Sequence, residues 1–400
     1  MTYPDPWPRV LAELVARSHR LPPDELTAVV NDSLAATGVR VTIFLVDVEQ
    51  RHLRPLADPA RPAPAPLPID ASLPGRAFTQ LAPYSARGDP ARLWMPVVDG
   101  TDRLGLLAVT LPPGGDPDDR SLRDGLRLVA GLIGHLVTGK REYGDNLRRA
   151  TRSRPMTVSA ELLWGLLPPL TFATADIVIT GLLEPCYAVG GDAFDYALDG
   201  GVVSLAVLDG VGHGLPAVLT TAVAVAALRA ERRTGGGPGA QARAVDAAIR
   251  GQWDDARFVT GVLATFDTTT GVLRYVNAGH PPPLLLRQGR AVHALTGGRR
   301  LPMGLSGPAP EPAELRCQPG DRLLLHTDGV TEARDATGEM FGPARLVELT
   351  ERCSRSGLPP PETLRRVSHA VAAHRDGDLV DDATLVLLEW SAEAARRAEP

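Results

Sequence analysis

Four short acidic clusters could carry chemistry in this sequence: Val189-Gly-Gly-Asp192, Leu208-Asp209-Gly210, Thr327-Asp328-Gly329 and Asp381-Asp382-Ala383-Thr384. Each borders a segment with strand character. A strand-end aspartate followed by glycine projects a hard carboxylate from a tight turn, with no side chain on the next residue to crowd an ion or its waters. Four such carboxylates brought together would make a site for Mg²⁺ or Mn²⁺, ions that take oxygen ligands and keep bound water. The nine histidines contain no HExxH or comparable zinc set. One Asp-Gly pair alone is an ordinary turn dipeptide, so the weight lies on the joint order of the four.

Periodicity shows which elements must position these clusters. Past Pro169, strand patterns occur at ADIVITGLLEP, VVSLAVLD, GVLATFDTTTGVLRYVNAG, PPLLLRQG, DRLLLHTDG and DATLVLLEW. Helical spacing predicts helices over 215–232, 240–250, 343–354 and 361–374. Many hairpin-type strands with a few helices predict an α+β sandwich, two sheets face to face with helices outside.

In the first half, Leu26, Val29, Val30 and Leu34 predict a helix within Pro23 to Thr37, and VRVTIFLVDVEQRHLRPL reads as two strands and a turn. Beyond the Pro/Ala-rich ADPARPAPAPLP follow a short helix in SLPGRAFTQLAPYSA, a hairpin turning near Asp99-Gly100, and an amphipathic helix in SLRDGLRLVAGLIGHLVTGKRE. This order, over residues 9–140, resembles a GAF domain in pattern, without a diagnostic motif. The resemblance implies a small-molecule ligand between sheet and loops; a dimerisation module with a filled core is the favoured alternative. Residues 121–167 read as a long helix, a break at Pro155 and a second helix from Ser159 to Leu167. The segment 141–170 is thus a helical linker, a lever or a coiled coil that would make a homodimer.

The chain has 400 residues, 22% charged and 44% hydrophobic, with a net charge of -5, which excludes pervasive disorder and argues against nucleic acid as a partner. Cys186, Cys317 and Cys353 fit neither a disulfide framework nor a CxxC zinc pattern, and a cytoplasmic location is expected. MTYPDPWPRVLAELV lacks the marks of a signal peptide. The longest apolar run, Leu215 to Leu228, falls short of the roughly 20 residues a membrane helix needs and reads as a buried helix. No membrane association is expected.

The succession GGDAFD, DGVGHGLPA, NAGHPP, HTDGVTE and DDATLVLL resembles the metal-dependent protein serine/threonine phosphatases, the PPM or type-2C family, in the SpoIIE branch, over about residues 171–390. The resemblance implies an α-β-β-α sandwich holding two Mn²⁺ or Mg²⁺ ions on Asp192, Asp209, the carbonyl of Gly210, Asp328 and Asp381, with Asp209 bridging and Asp192 and Asp209 as the catalytic pair. Asp381 is favoured over Asp382 because the family's Asp-Asn pair aligns it with the ligand. Two ions sharing a water would lower its pKa and present hydroxide to a phosphoester, so no cysteine nucleophile is needed. Several members of the wider family have histidine after the Asp-Gly pair where this chain has Val211; His213, in a Gly212-His213-Gly214 turn, is a substitute acid or only a turn residue. His280 is read as structural, its ring bonding loop backbone, His326 as core, and Asp195 as a supporting or solvated carboxylate.

The resemblance further implies a phosphorylated STAS-type anti-sigma-factor antagonist as substrate, with regulation through the N-terminal domain. A rival dinucleotide-loop reading fails because the glycines of DGVGHG fall as GxGxG. A DxDG nucleophile fails because Val207 and His326 occupy the positions two residues before Asp209 and Asp328. The remaining alternative is a catalytically silent scaffold of the same fold that senses and binds.

Overall fold

The computed structural model describes residues 5–58, 61–184, 187–188, 190–375 and 382–396. They form two compact units, one ending at Arg154 and one running from Pro155 to Arg396. The division falls inside the segment 141–170.

The first unit contains α1 (Trp7–Ser18), α2 (Leu26–Leu34), β1 (Arg40–Val46), β2 (His52–Pro55), β3 (Leu67–Pro68), α3 (Leu73–Gln80), β4 (Tyr84–Ala86), β5 (Arg92–Asp99), β6 (Asp102–Thr110), α4 (Arg120–Lys140) and α5 (Asn146–Ala150). Its antiparallel sheet has the order β3-β2-β1-β6-β5-β4. Alternate residues of β1 and β6 feed two cores: Val41, Ile43, Leu107 and Val109 pack with residues of α1, α2 and α4, while Phe44 and Leu106 pack with Phe78 of α3. Asp119 caps α4 by accepting a hydrogen bond from Leu122 N–H at 2.7 Å.

Helix α1 is an element that the apolar pattern did not announce. Its buried anchor, Trp7, lies against Gly125 of α4, where an added Cβ would come within 1.9 Å of the indole. Gly125→Ala should therefore displace Trp7 and destabilise this unit by about 1–3 kcal/mol. Chemical denaturation with the five tryptophans as reporter checks this; unchanged stability and emission would refute the packing.

The second unit runs α6 (Val158–Leu166), β7 (Thr171–Ala173), β8 (Ile177–Glu184), β9 (Asp192–Asp199), β10 (Val202–Gly210), α7 (Leu215–Arg233), α8 (Pro238–Gln252), β11 (Val259–Asp267), β12 (Val272–Ala278), β13 (Leu284–Arg287), β14 (Arg290–Ala294), β15 (Arg299–Arg300), β16 (Ala313–Arg316), β17 (Arg322–His326), α9 (Asp328–Thr331), α10 (Gly342–Arg355), α11 (Pro360–His374) and β18 (Ala383–Trp390), followed by a short terminal helix. One sheet has the order β15-β12-β11-β10-β9 with β16 also on β12; the other has β14-β13-β17-β18-β8-β7.

Side chains alternate in phase with this layering. Phe194, Val207, Val262, Leu325 and Val386 meet between the sheets. Leu208, Leu263 and Val276 face outward to α6, α7 and α8, and Leu324, Leu385 and Leu387 face α10 and α11. The result is an α-β-β-α sandwich. The helices expected over 215–232, 240–250, 343–354 and 361–374 occur within two residues of those bounds. Strand β9 was not anticipated, because GGDAFDYALD has too many polar residues to read as a core strand. Among the described residues, no helix is long and apolar enough to cross a membrane.

Candidate active site

The inward-facing phase of the sandwich changes from apolar to polar at one end, and the acids collect there. In the register of β10, Asp209 stands opposite Asp192 on β9 and opposite Thr260 on β11. Directly opposed residues of antiparallel strands share a face. Asp192 is in phase with Phe194, Asp209 with Val207 and Thr260 with Val262, so all three side chains continue the inter-sheet face. From the other sheet, Thr327 is in phase with Leu325, and Thr384 with Val386.

Hydrogen bonds lock this mouth. Thr327 Oγ1 donates to Asp192 Oδ2 at 2.6 Å and accepts from Thr384 N–H at 2.9 Å, tying one sheet to the other. Asp382 Oδ2 accepts from the N–H groups of Gly190 at 2.5 Å and Asp192 at 3.2 Å. Thr221 of α7 donates to the Gly191 carbonyl at 2.5 Å, and Gly210 N–H donates to the same oxygen at 3.1 Å. The glycines are required by closeness: a Cβ on Gly191 would lie 2.5 Å from the Gly210 carbonyl oxygen, and one on Gly210 would lie 2.4 Å from Thr221 Oγ1.

Asp192 is buried, and its carboxyl is pushed well above the usual range by desolvation, then by the charges of Asp209 and Asp382, partly opposed by the hydroxyls of Thr327 and Thr384. Asp209 and Asp382 thus both bring negative charge to the buried Asp192, and three hard oxygen donors so placed fit a divalent cation in chemistry. Among the described residues, no three His, Cys, Asp or Glu side chains are grouped as a ready ligand set. Asp381 lies outside the described residues. Asp328 is half-buried at the first position of α9, immediately after Thr327.

Two sequence readings need revision. Asp195 is 1% exposed and not solvated: it points to the helix side and takes Arg229 at 2.6 Å and Arg232 at 2.5 Å, fastening α7 to β9. The His280 ring bonds a side chain, Thr260 Oγ1, through Nδ1 at 2.8 Å, and not the loop backbone. The loop is held instead by Asn277, whose Oδ1 accepts from His280 N–H at 2.8 Å and whose Nδ2 donates to the His280 carbonyl at 2.9 Å. Thr260 and Thr327 were overlooked as site residues. The available signal was a threonine at a strand end in phase with core residues.

His326 is buried, with its pKa lowered by that burial. His213 is exposed, between Gly212 and Gly214, whose φ values of 90° and 70° require glycine. Burial raises the Cys317 thiol to about 11 and raises Cys353 as well, which keeps both unreactive. Cys186 lies outside the described residues.

Known proteins are similar to this chain in sequence and fold. Over 213 residues the chain is 25% identical to phosphoserine phosphatase RsbU of Bacillus subtilis, covering 52% of this chain and 62% of that protein. Over 143 residues it is 34% identical to protein IcfG of Synechocystis, covering 33% of this chain and 21% of that protein. The chain thus spans less than two thirds of either relative. The SiaA-PP2C domain of Pseudomonas aeruginosa superposes with a TM-score of 0.50 at 23% identity, over 64% of this chain and 99% of that domain, which establishes the shared fold. Residues 199–391 match the family model described as stage II sporulation protein E, a span that begins after Asp192 and takes in Asp209, Gly210, Asp328 and Asp381. With its acidic strand ends set at the mouth of a PP2C-type sandwich, the second half of the chain is similar to the SpoIIE family.

Proposed function

We propose that this protein is a divalent-metal-dependent phosphatase acting on phosphoserine and phosphothreonine of a regulatory protein. The observation that carries the reading is the opposition of Asp192 and Asp209 at the mouth of the sandwich, with Asp382 raising the negative charge beside them. Asp192, Asp209, the Gly210 carbonyl, Asp328 and Asp381 would hold two Mn²⁺ or Mg²⁺ ions. Bound there, such ions supply positive charge against phosphoryl oxygens and acidify a water.

The chain's own residues do the positioning. Thr327 orients Asp192, Thr260 lies against Asp209 at 3.3 Å, and Asp382 holds the backbone of the Gly190 to Asp192 turn. Rigid strand ends, and not long loops, therefore set the spacing of the acids.

By family resemblance, the substrate is a phosphorylated STAS-type anti-sigma-factor antagonist in the cytoplasm; the name of RsbU as a phosphoserine phosphatase supports the phosphoserine part. The first unit, GAF-like in its element order, would regulate the enzyme or take a small ligand, and residues 121–167 would pair two copies.

Hydrolysis of an aryl phosphate and a phosphoserine peptide, with and without Mn²⁺, tests the chemistry. Turnover should require the metal and fall by at least ~10²–10³-fold in Asp209→Asn. If neither the native chain nor one beginning at Pro155 turns over either substrate with Mn²⁺, the silent-scaffold reading replaces this one.

A further inference from the structure

Two strands of the same sheet bring a second pair of residues to Asp209 from far along the chain. Thr260 Oγ1 is 3.3 Å from Asp209 Oδ2 and 2.8 Å from His280 Nδ1. His280 is 3% exposed and clamped at its backbone on both sides by the Asn277 amide. A threonine hydroxyl has one hydrogen, whereas an ionised carboxylate can only accept. If Thr260 donates to Asp209, its second contact must be one in which it accepts, and the hydrogen of that contact must come from His280 Nδ1.

We propose that His280 is a positioning residue: its neutral Nδ1–H form donates to Thr260, which directs the single Thr260 hydroxyl hydrogen onto Asp209 Oδ2 and so fixes the rotamer of that carboxylate. The inference rests on the proposed metal site only for its consequence, not for its geometry.

Three observations support it. First, the ring stays neutral, since burial lowers its pKa to about 3, assisted by the neighbouring His326 ring. Second, Nδ1 has a well-formed partner, whereas Nε2 makes no hydrogen bond of good geometry, although the His326 backbone lies close enough to favour a protonated ring. An unfilled acceptor costs less in a buried site than an unfilled N–H donor, which places the hydrogen on Nδ1. Third, the charged acceptor at the end of the chain makes its hydrogen bond the stronger of the alternatives for the Thr260 hydrogen.

The Asn277-His280 clamp then has a purpose beyond closing a loop. It holds the ring so that Nδ1 meets Thr260, two strands away in the order β12-β11-β10 from the acid it serves. The opposite carboxylate, Asp192, receives its hydrogen bond from Thr327, so each member of the facing pair is oriented by one threonine.

The full chain with ¹⁵N-labelled histidine, free of metal, tests the tautomer: long-range ¹H–¹⁵N spectra, assigned with a His280→Leu variant, should show His280 protonated at Nδ1. Protonation at Nε2 overturns the proposal. Mn²⁺ affinity, read from the electron-paramagnetic-resonance signal of free Mn²⁺, should weaken ~10-fold or more in both Thr260→Val and His280→Leu. His280→Asn, which can present its amide N–H where Nδ1–H was, should recover most of the loss. Circular dichroism melts identify unfolded variants, and Thr260→Val, nearly isosteric, carries the decision if His280→Leu fails to fold. Folded variants that bind Mn²⁺ as tightly as the native chain overturn the proposal. A native chain that takes up no Mn²⁺ refutes the metal reading instead, and the tautomer measurement still decides the positioning.

Discussion

Asp192→Asn should abolish metal-dependent turnover and at the same time make the metal-free protein more stable. The native carboxyl is raised above its ordinary value of 3.8 by burial and by Asp209 and Asp382. The folded state therefore holds this proton at pH values where the unfolded chain has released it. Its contribution to stability is fully present below the ordinary value and is lost as pH rises through the raised one. Without metal, at any pH above the raised value the native protein carries a buried, repelled charge, and the asparagine does not. The amide oxygen can still accept from Thr327, so no donor is orphaned. Relief on the order of 1 kcal/mol is expected, which raises Tm by ~2–4 °C for a unit of this size. Mn²⁺ should reverse the ranking by stabilising the native chain alone. Thermal melts from pH 4 to 8, with and without Mn²⁺, check this; a variant no more stable than the native protein without metal refutes the account of Asp192.

Gly329→Ala should cost both activity and stability. A Cβ at this position would lie 1.8 Å from the Asp382 carbonyl oxygen and 2.8 Å from its carbon, and both are backbone atoms. They cannot retreat alone. The Asp382 side chain holds the amides of Gly190 and Asp192, and two residues on, Thr384 N–H is bonded to Thr327 Oγ1. The added methyl must therefore push apart the strand ends that carry Asp192 and Asp328. A displacement near 1 Å at reacting groups costs about 10²-fold in rate, and the overpacking about 1–3 kcal/mol in stability. Gly251→Ala is the control, because a Cβ there meets nothing within 4 Å in a helix. It should leave turnover unchanged and slightly increase stability. Equal behaviour of the two variants in steady-state kinetics and denaturation would show that the contact at Gly329 is not limiting.

Much of this protein follows from local order. Helical spacing marks α7, α8, α10 and α11 because each buries one face against a sheet, and a 3.6-residue period is visible without knowing the partner. The acidic turns are equally legible, since Asp-Gly and Gly-Gly-Asp are local solutions to ending a strand tightly. Strand β9 and helix α1 escape such a reading. β9 carries Asp192, Asp195 and Asp199, and its polar residues are accounted for only by partners brought in by folding. The anchor of α1, Trp7, depends on Gly125, more than a hundred residues away.

The amino-acid sequence by itself determined the sandwich, the succession of acidic strand ends and the family they resemble, because strand period, turn chemistry and motif order are properties of neighbouring residues. Only the tertiary structure decided which groups act on those acids. Register across β9, β10 and β11 sets Asp192 and Thr260 on either side of Asp209, and the return of β18 beside β8 brings Asp382 to Gly190. Alternation tells which face a residue takes, but long-range pairing selects the neighbour on that face. That pairing is why Thr260, Thr327 and the Asp195 ion pairs became visible only in the fold.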